Sequence, residues 1–118
     1  MEARLAKATD IVARTKYLLP EHFIGYVLEK ENRFMGMGWC AWDTKDRPFV
    51  FFEIADEARQ YRYRISRWSR RFLNVLEDAC DELYTLEDED EPGATKWIEW
   101  LGFRATDETV NGHRVMKL

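Results

Sequence analysis

The stretch that decides the fold is residues 94–103, which read ATKWIEWLGF. Apolar residues recur in it at three- and four-residue spacing, at Ala94, Trp97, Ile98 and Leu101. This spacing places them on one face of a helix. Gly102 follows the last of them and can end the helix, because glycine adopts the left-handed conformation at little cost. The stretch therefore predicts a short helix that leads directly into a strand.

The segments on either side extend this pattern. Downstream, residues 103–110 and 113–118 are two strands around Asn111-Gly112, the dipeptide most typical of a tight hairpin. Upstream, residues 83–86 predict a short strand and residues 68–84 a helix, with Ser66 or Ser69 as its cap. The helix prediction rests on a set of apolar residues at helical spacing: Phe72, Val75, Leu76, Ala79, Cys80 and Leu83.

The first half of the chain predicts mainly strands. Residues 23–28, 34–42 and 49–54 are rich in aromatic and β-branched residues and are separated by polar turns, which indicates an antiparallel meander. Residues 2–7 predict a short strand. A helix is expected to begin with Asp10 as its cap and to continue to about Leu19, before Pro20.

Length and composition limit the class of protein. A chain of 118 residues has room for one domain, and 46% hydrophobic and 14% aromatic residues exclude a disordered chain. Cys40 and Cys80 do not make a disulfide framework, and no residues have metal-ligand spacing. The sequence contains no apolar run long enough to cross a bilayer and no apolar signal segment at its start. We therefore expect a cytoplasmic protein without a metal or a membrane partner.

The charges are separated along the chain, although the net charge is only −4. Six arginines lie in residues 59–71 without an acid between them, and nine acids lie in residues 77–91 without a base. Three arginines, Arg67, Arg70 and Arg71, fall near the positive end of the predicted helix, which opposes its dipole unless an anion binds there. The arginines could equally form a solvated face paired with the acidic block.

The segment 94–103 resembles the final helix of GNAT acetyltransferases, which carry an Asn-x-x-Ala segment and then a helix that ends in Leu-Gly-Phe. Ala94, Glu99 and the Leu101-Gly102-Phe103 end fit this pattern. Glu91 stands where the asparagine is usual. Ile98 stands where many members have a tyrosine that protonates the departing thiolate.

A second resemblance lies one helix upstream. GNAT enzymes bind the pyrophosphate of acetyl-CoA with an Arg/Gln-x-x-Gly-x-Gly/Ala turn, and residues 64–69 stand at that place, with Arg67 replacing the central glycine. The resemblance implies that Arg64→Ala should weaken coenzyme binding and that Arg67→Gly should not. The implied coenzyme-binding residues are Arg64, Ser66, Arg67, Trp68, Ser69, Arg70 and Arg71.

The resemblance also implies a fold and a reaction. It implies one GNAT-like α+β domain over residues 1–118, with a mixed, mostly antiparallel sheet flanked by helices and a C-terminal hairpin. Residues 62–118 would form the coenzyme-binding half. Glu53 is the candidate base, because GNAT enzymes often carry a glutamate on the fourth strand. Tyr84 or Tyr63 could replace the missing tyrosine, so the implied activity is acetyl transfer from acetyl-CoA to an amine.

The departures from the pattern leave a second function open. The chain is most similar to short GNAT-like proteins of short-tailed bacteriophages, some of which serve in virions or in assembly. Such a scaffold would bind a host or virion protein instead of catalysing a reaction. Nucleic acid is not expected as the main partner, since the basic block is short and the chain is acidic overall.

Overall fold

The computed structural model describes residues 1–12, 23–91 and 93–118. Seven strands lie within them: β1 (Glu2–Leu5), β2 (Phe23–Lys30), β3 (Arg33–Trp42), β4 (Pro48–Ile54), β5 (Tyr84–Leu86), β6 (Arg104–Val110) and β7 (His113–Lys117). They form one sheet in the order β1-β2-β3-β4-β5-β7-β6. Neighbouring strands are antiparallel except β4 and β5, which are parallel. The predicted mixed, mostly antiparallel sheet with a C-terminal hairpin is confirmed.

Helices cover both faces of the sheet. They are α1 (Ala8–Val12), a 3₁₀ helix (Asp56–Tyr61), α2 (Arg62–Ala79) and α3 (Ala94–Leu101). Buried residues of α2 and α3 share one core cluster with Val50 of β4, whereas Ile11 of α1 packs with Met37 and Trp39 on the opposite face. The two α-helices that follow β4 and β5, α2 and α3, therefore lie together on one face of the sheet.

Local sequence explains the tight connections. Asn111 and Gly112 have φ angles of 52° and 82°, so the predicted hairpin turn is confirmed. Glu31 and Asn32, with φ angles of 53° and 64°, make a similar two-residue turn between β2 and β3. In the next turn the Asp43 carboxylate accepts hydrogen bonds from the backbone N–H groups of Lys45 at 3.0 Å and Arg47 at 2.8 Å. These local bonds set the register of the meander.

The long helix differs from its prediction at both ends. It spans Arg62–Ala79 instead of 68–84, and Val75, expected on its apolar face, is 61% exposed. Neither predicted serine caps it, since the Ser69 hydroxyl donates to the Ile65 carbonyl inside the helix at 2.8 Å. The chain enters α2 directly from the 3₁₀ helix, whose Arg59 carbonyl accepts the Arg62 N–H. A side-chain cap is therefore not required.

The N-terminal helix also begins differently. Asp10 is the third residue of α1, and its carboxylate accepts the Lys7 N–H at 2.7 Å and two bonds from the Arg4 guanidinium at 2.8 Å. These bonds to Arg4 lower the pKa of Asp10 to about 2. The predicted continuation of this helix to Leu19 lies outside the described residues.

Candidate functional site

The two parallel strands of the sheet diverge and open a cleft. β4 and β5 pair only at Phe49 and Tyr84, near their N-terminal ends. One further bond joins them, from the Thr85 hydroxyl to the Val50 carbonyl at 2.6 Å. A cleft of about 1130 Å³ opens beyond this point, lined by Phe52, Glu53 and Ile54 at the end of β4. It slightly exceeds the roughly 300–1,000 Å³ of usual small-molecule sites.

The strand residues in the cleft come from both faces of the sheet. Glu53 is opposite Met37 in the β3–β4 register, so its side chain lies on the α1 face. Phe52 alternates to the other face and packs beneath α2 and α3. A ligand in the cleft could therefore contact groups on either side of the sheet.

Trp97 joins the two helices that form the walls. Its indole Nε1 donates to the Ser66 hydroxyl at 3.1 Å, which links α3 to α2. Its ring also meets Phe52 edge-on, with centroids 5.0 Å apart. Four residues further along α2, Arg70 donates to the Leu101 carbonyl at 2.6 Å. The two helices therefore run side by side in the same direction, and the cleft continues between them.

The cleft carries both signs of charge. Arg59, Arg62 and Arg67 line it, as do four acids: Glu53, Asp56, Asp88 and Glu91. Arg59 is paired with Asp56 at 3.4 Å and with Glu91 at 3.6 Å. Arg62 and Arg67 form no ion pair or side-chain hydrogen bond within the described ranges 1–12, 23–91 and 93–118. Two guanidinium groups are thus available to an anionic ligand.

The residues predicted to bind the coenzyme fall into three groups. Ser66 and Arg67 line the cleft. Arg64 and Arg71 are exposed but do not line it. The remaining three have structural contacts: Ser69 is fully buried, Trp68 stacks on Phe72 with ring centroids 5.7 Å apart, and Arg70 bonds the last carbonyls of α3.

The predicted phosphate-binding turn is also not a turn. Residues 64–69 lie inside α2, so their conformation is helical. From Ser66 onward each backbone N–H donates a hydrogen bond to the carbonyl four residues earlier, as in any α-helix. The amides of Ser66 to Arg71 therefore cannot surround a phosphate as the glycine turn of GNAT enzymes does, and only the side chains of these residues remain to contact it.

The two catalytic candidates lie in different places. Glu53 lines the cleft. Tyr84 does not: it stacks on Phe49 at 5.5 Å and its hydroxyl donates to Glu82, which raises the pKa of the tyrosine. Phe49 is four residues from Glu53, a separation of about 13 Å along a strand. The structure therefore separates Tyr84 from the cleft, whereas Tyr63 lines it and is 80% exposed.

Sequence reasoning missed several residues of the cleft: Arg59, Arg62, Trp97 and Trp100. A signal for the α2 wall was present, because Arg59, Tyr63 and Arg67 follow one another at four-residue spacing. That spacing places them along one stripe of a helix. The stripe was not recognised because the helix was expected to begin only at Trp68.

No family model matches the chain. No curated protein sequence matches it significantly either. Among the described residues, no helix is long and apolar enough to cross a membrane. Within the same residues there is no group of three or more histidine, cysteine, aspartate or glutamate side chains that could bind a metal ion.

Solved structures do match. A domain from Methanocaldococcus jannaschii DSM 2661 has a TM-score of 0.72 and 14% identity, over 99% of this chain and 96% of that one. A SpeG spermidine N-acetyltransferase chimera, from Vibrio cholerae and hSSAT, has a TM-score of 0.67 and 15% identity, over 99% and 94%. The aminoglycoside acetyltransferase AAC(6')-Ib, in complex with coenzyme A, has a TM-score of 0.62 and 12% identity, over 81% and 65%.

These likenesses show that the chain has a GNAT-like fold, as the sequence predicts. At identities of 12–15% they establish the fold and not the activity. None of these three matched structures is described as a bacteriophage protein. The narrower resemblance to short-tailed phage proteins stays a prediction.

Proposed function

We propose that this chain binds acetyl-CoA in the cleft that the end of β4, the 3₁₀ helix, α2 and α3 line, and that it transfers the acetyl group to an amine. The observation that carries the proposal is the divergence of two parallel strands beside a helix whose Arg62 and Arg67 line the cleft and have no ion-pair partner among the described residues. Structural neighbours named as a spermidine N-acetyltransferase and as an aminoglycoside acetyltransferase with coenzyme A support it. The acceptor of this chain is not identified.

The diverging strands suit the amide-containing arm of the coenzyme. The contacts given between β4 and β5 are the pairing of Phe49 with Tyr84 and the bond from Thr85 to Val50, and both lie at the start of the strands. Backbone N–H and C=O groups need partners when a ligand covers them. An extended ligand with amide groups can satisfy them in the way that an added strand does.

The phosphates would be bound by side chains. Arg62 and Arg67 line the cleft without internal partners in the described part of the chain. A guanidinium matches phosphate oxygens through two parallel bonds, so one arginine can replace several backbone donors. This mode of phosphate binding differs from the glycine turn of GNAT enzymes, which uses backbone N–H groups. Because it depends on exposed charges, we expect the affinity to fall strongly as the salt concentration rises.

Acetyl transfer requires one bond to form and one to break. The amine nitrogen bonds to the thioester carbonyl carbon, and the carbon–sulfur bond breaks to leave a thiolate. We assign Glu53 as the group that accepts the proton of the amine, since its carboxylate lies at the cleft. Tyr63 is the candidate that returns a proton to the thiolate, because Tyr84 lies outside the cleft.

Calorimetric titration with acetyl-CoA at several salt concentrations tests the proposal. We expect micromolar affinity that falls as salt rises, followed by thiol release in the presence of an acceptor chosen from polyamines, aminoglycosides and peptide amines. Glu53→Gln should retain binding and lose thiol release. Absence of binding at millimolar coenzyme would refute the proposal.

A second candidate is a scaffold that has lost catalysis and binds a host or virion protein. The acids in the cleft favour it, because Asp88 and Glu91 repel an anionic coenzyme. Absence of acetyl-CoA binding in the titration would favour this second candidate. Either role is compatible with the proposed cytoplasmic location, including the cytoplasm of a host cell if the chain is encoded by a phage.

A further inference from the structure

We infer that Glu91 controls the affinity of the cleft for phosphate-bearing ligands by competing with them for Arg59. The inference rests on the proposed function for its ligand, but it assigns new roles to two residues of this chain. Arg59 would be a phosphate-binding residue. Glu91 would be an internal anion that occupies it when the ligand is absent.

The contact between these residues joins two segments that line the cleft. Arg59 belongs to the 3₁₀ helix that precedes α2, whereas Glu91 belongs to the loop that precedes α3. Arg59 Nη2 lies 3.6 Å from Glu91 Oε1 and 3.4 Å from Asp56 Oδ1. All three residues line the cleft. The ion pair therefore connects the 3₁₀ helix with the loop before α3 within the lining of the cleft.

The ion pair is weak enough to exchange. The side chains of Arg59 and Glu91 are 68% and 58% exposed, and exposed pairs contribute little to the stability of a fold. A diphosphate carries more charge than one carboxylate and offers a guanidinium two oxygens at once. A bound diphosphate would therefore replace Glu91 as the partner of Arg59.

Glu91 then opposes the ligand in two ways. The ligand must break the existing ion pair, and the released carboxylate remains near its negative charges. Both effects lower the affinity of the cleft for an anion. Removal of the Glu91 charge should therefore strengthen binding, which is the opposite of what damage to a binding site would cause.

Glu89 provides a matched control. It lies two residues from Glu91 in the same acidic loop but does not line the cleft. Its carboxylate instead lies 3.3 Å from His113 Nδ1. Glu89→Gln and Glu91→Gln change the net charge equally, so any general effect of charge on an anionic ligand is the same in both variants.

The test is calorimetric titration of the full chain and its variants with coenzyme A and, separately, with inorganic pyrophosphate. We expect Glu91→Gln to bind both about threefold to tenfold more tightly than the unsubstituted chain at low salt, because one nearby like charge is removed. The gain should shrink as salt is raised. Glu89→Gln should change affinity by less than about twofold, as expected for a screened distant charge.

Arg59→Gln completes the experiment. It should weaken binding, and in the Arg59→Gln/Glu91→Gln double variant most of the Glu91→Gln gain should be lost, since competition needs the arginine. A gain that persists in full without Arg59 would show simple repulsion and would overturn the competition. Circular dichroism of each variant identifies any that do not fold.

The outcomes separate this inference from the proposed function. Tighter pyrophosphate binding by Glu91→Gln without coenzyme binding would support the competition and refute the coenzyme. Coenzyme binding that is equal in Glu91→Gln and Glu89→Gln would refute the competition and support the coenzyme. Absence of binding by every variant to either probe would overturn both.

Discussion

Arg64 and Arg67 provide a direct test of which side chain contacts phosphate. They lie three residues apart on α2, but Arg67 lines the cleft and Arg64 does not. The sequence pattern implied that both residues bind the coenzyme, with loss of binding expected for Arg64→Ala and not for Arg67→Gly. Arg67→Gln should weaken acetyl-CoA binding, and Arg64→Gln should leave it nearly unchanged.

The expected magnitudes follow from exposure and distance. A hydrogen bond to a charged group contributes about 1.5–3 kcal/mol. Because Arg67 is exposed, the lower end applies, and the loss is about tenfold in affinity. A charge about 10 Å away in water contributes only about 0.4 kcal/mol before screening, so Arg64→Gln should change affinity by less than about twofold.

Calorimetry at two salt concentrations measures both effects. The same charge is removed in the two variants, so their difference reports contact and not net charge. Equal losses in Arg64→Gln and Arg67→Gln would refute the assignment of Arg67, as would a larger loss in Arg64→Gln. Thermal unfolding followed by circular dichroism checks that α2 is intact in each variant.

Three further predictions concern stability, measured by urea denaturation. Gly25→Ala should cost about 1–3 kcal/mol, since a Cβ there would lie 2.7 Å from Trp39 Cβ in the adjacent strand, and an unchanged midpoint would contradict this. Arg70→Met should cost about 1–2 kcal/mol through its two lost bonds to the end of α3, whereas the exposed Arg71→Met should cost less than about 0.5 kcal/mol. The pKa of Asp10 is about 2 in the fold, below its ordinary 3.8, so its stabilisation is present above pH 4 and is lost as the pH falls towards 2. The loss should be about 1 kcal/mol and should be absent in Asp10→Asn.

The parts of the fold that depend on local chemistry could be predicted from the sequence. The Asn111-Gly112 turn and the Gly102 helix end follow from backbone conformations that few residues adopt. Leu101 and Phe103 are fully buried on either side of that glycine, as the Leu-Gly-Phe pattern indicates. Each of these features is decided by neighbouring residues, so a single sequence contains the necessary information.

The start of α2 could not be predicted in the same way. The search for a side-chain cap led to Ser66 and Ser69, but the helix is continuous with a 3₁₀ helix that satisfies its first amide. Ile65 was the overlooked signal, because it lies seven residues before Phe72 on the buried stripe. Six misplaced residues were enough to leave Arg62 out of the predicted site.

The cleft itself depends on tertiary structure. Its walls come from β4, the 3₁₀ helix, α2, the acidic loop and α3, and no local pattern brings these segments together. Tyr84 shows the consequence. It was a reasonable chemical substitute for a missing tyrosine, yet the pairing of β5 with β4 places it beside Phe49, at the closed end of these two strands.

Two of the three departures from the GNAT pattern place charges in the cleft. Arg67 stands in place of a glycine and adds a positive charge to the lining of the cleft. Glu91 stands in place of an asparagine and adds a negative charge to the same lining. The two added charges leave the net charge unchanged, but they lie in different places. Glu91 is paired with Arg59, whereas Arg67 has no ion-pair partner among the described residues. Under the proposed function, Arg67 would bind a phosphate of the coenzyme, and Glu91 would limit how tightly that phosphate is bound.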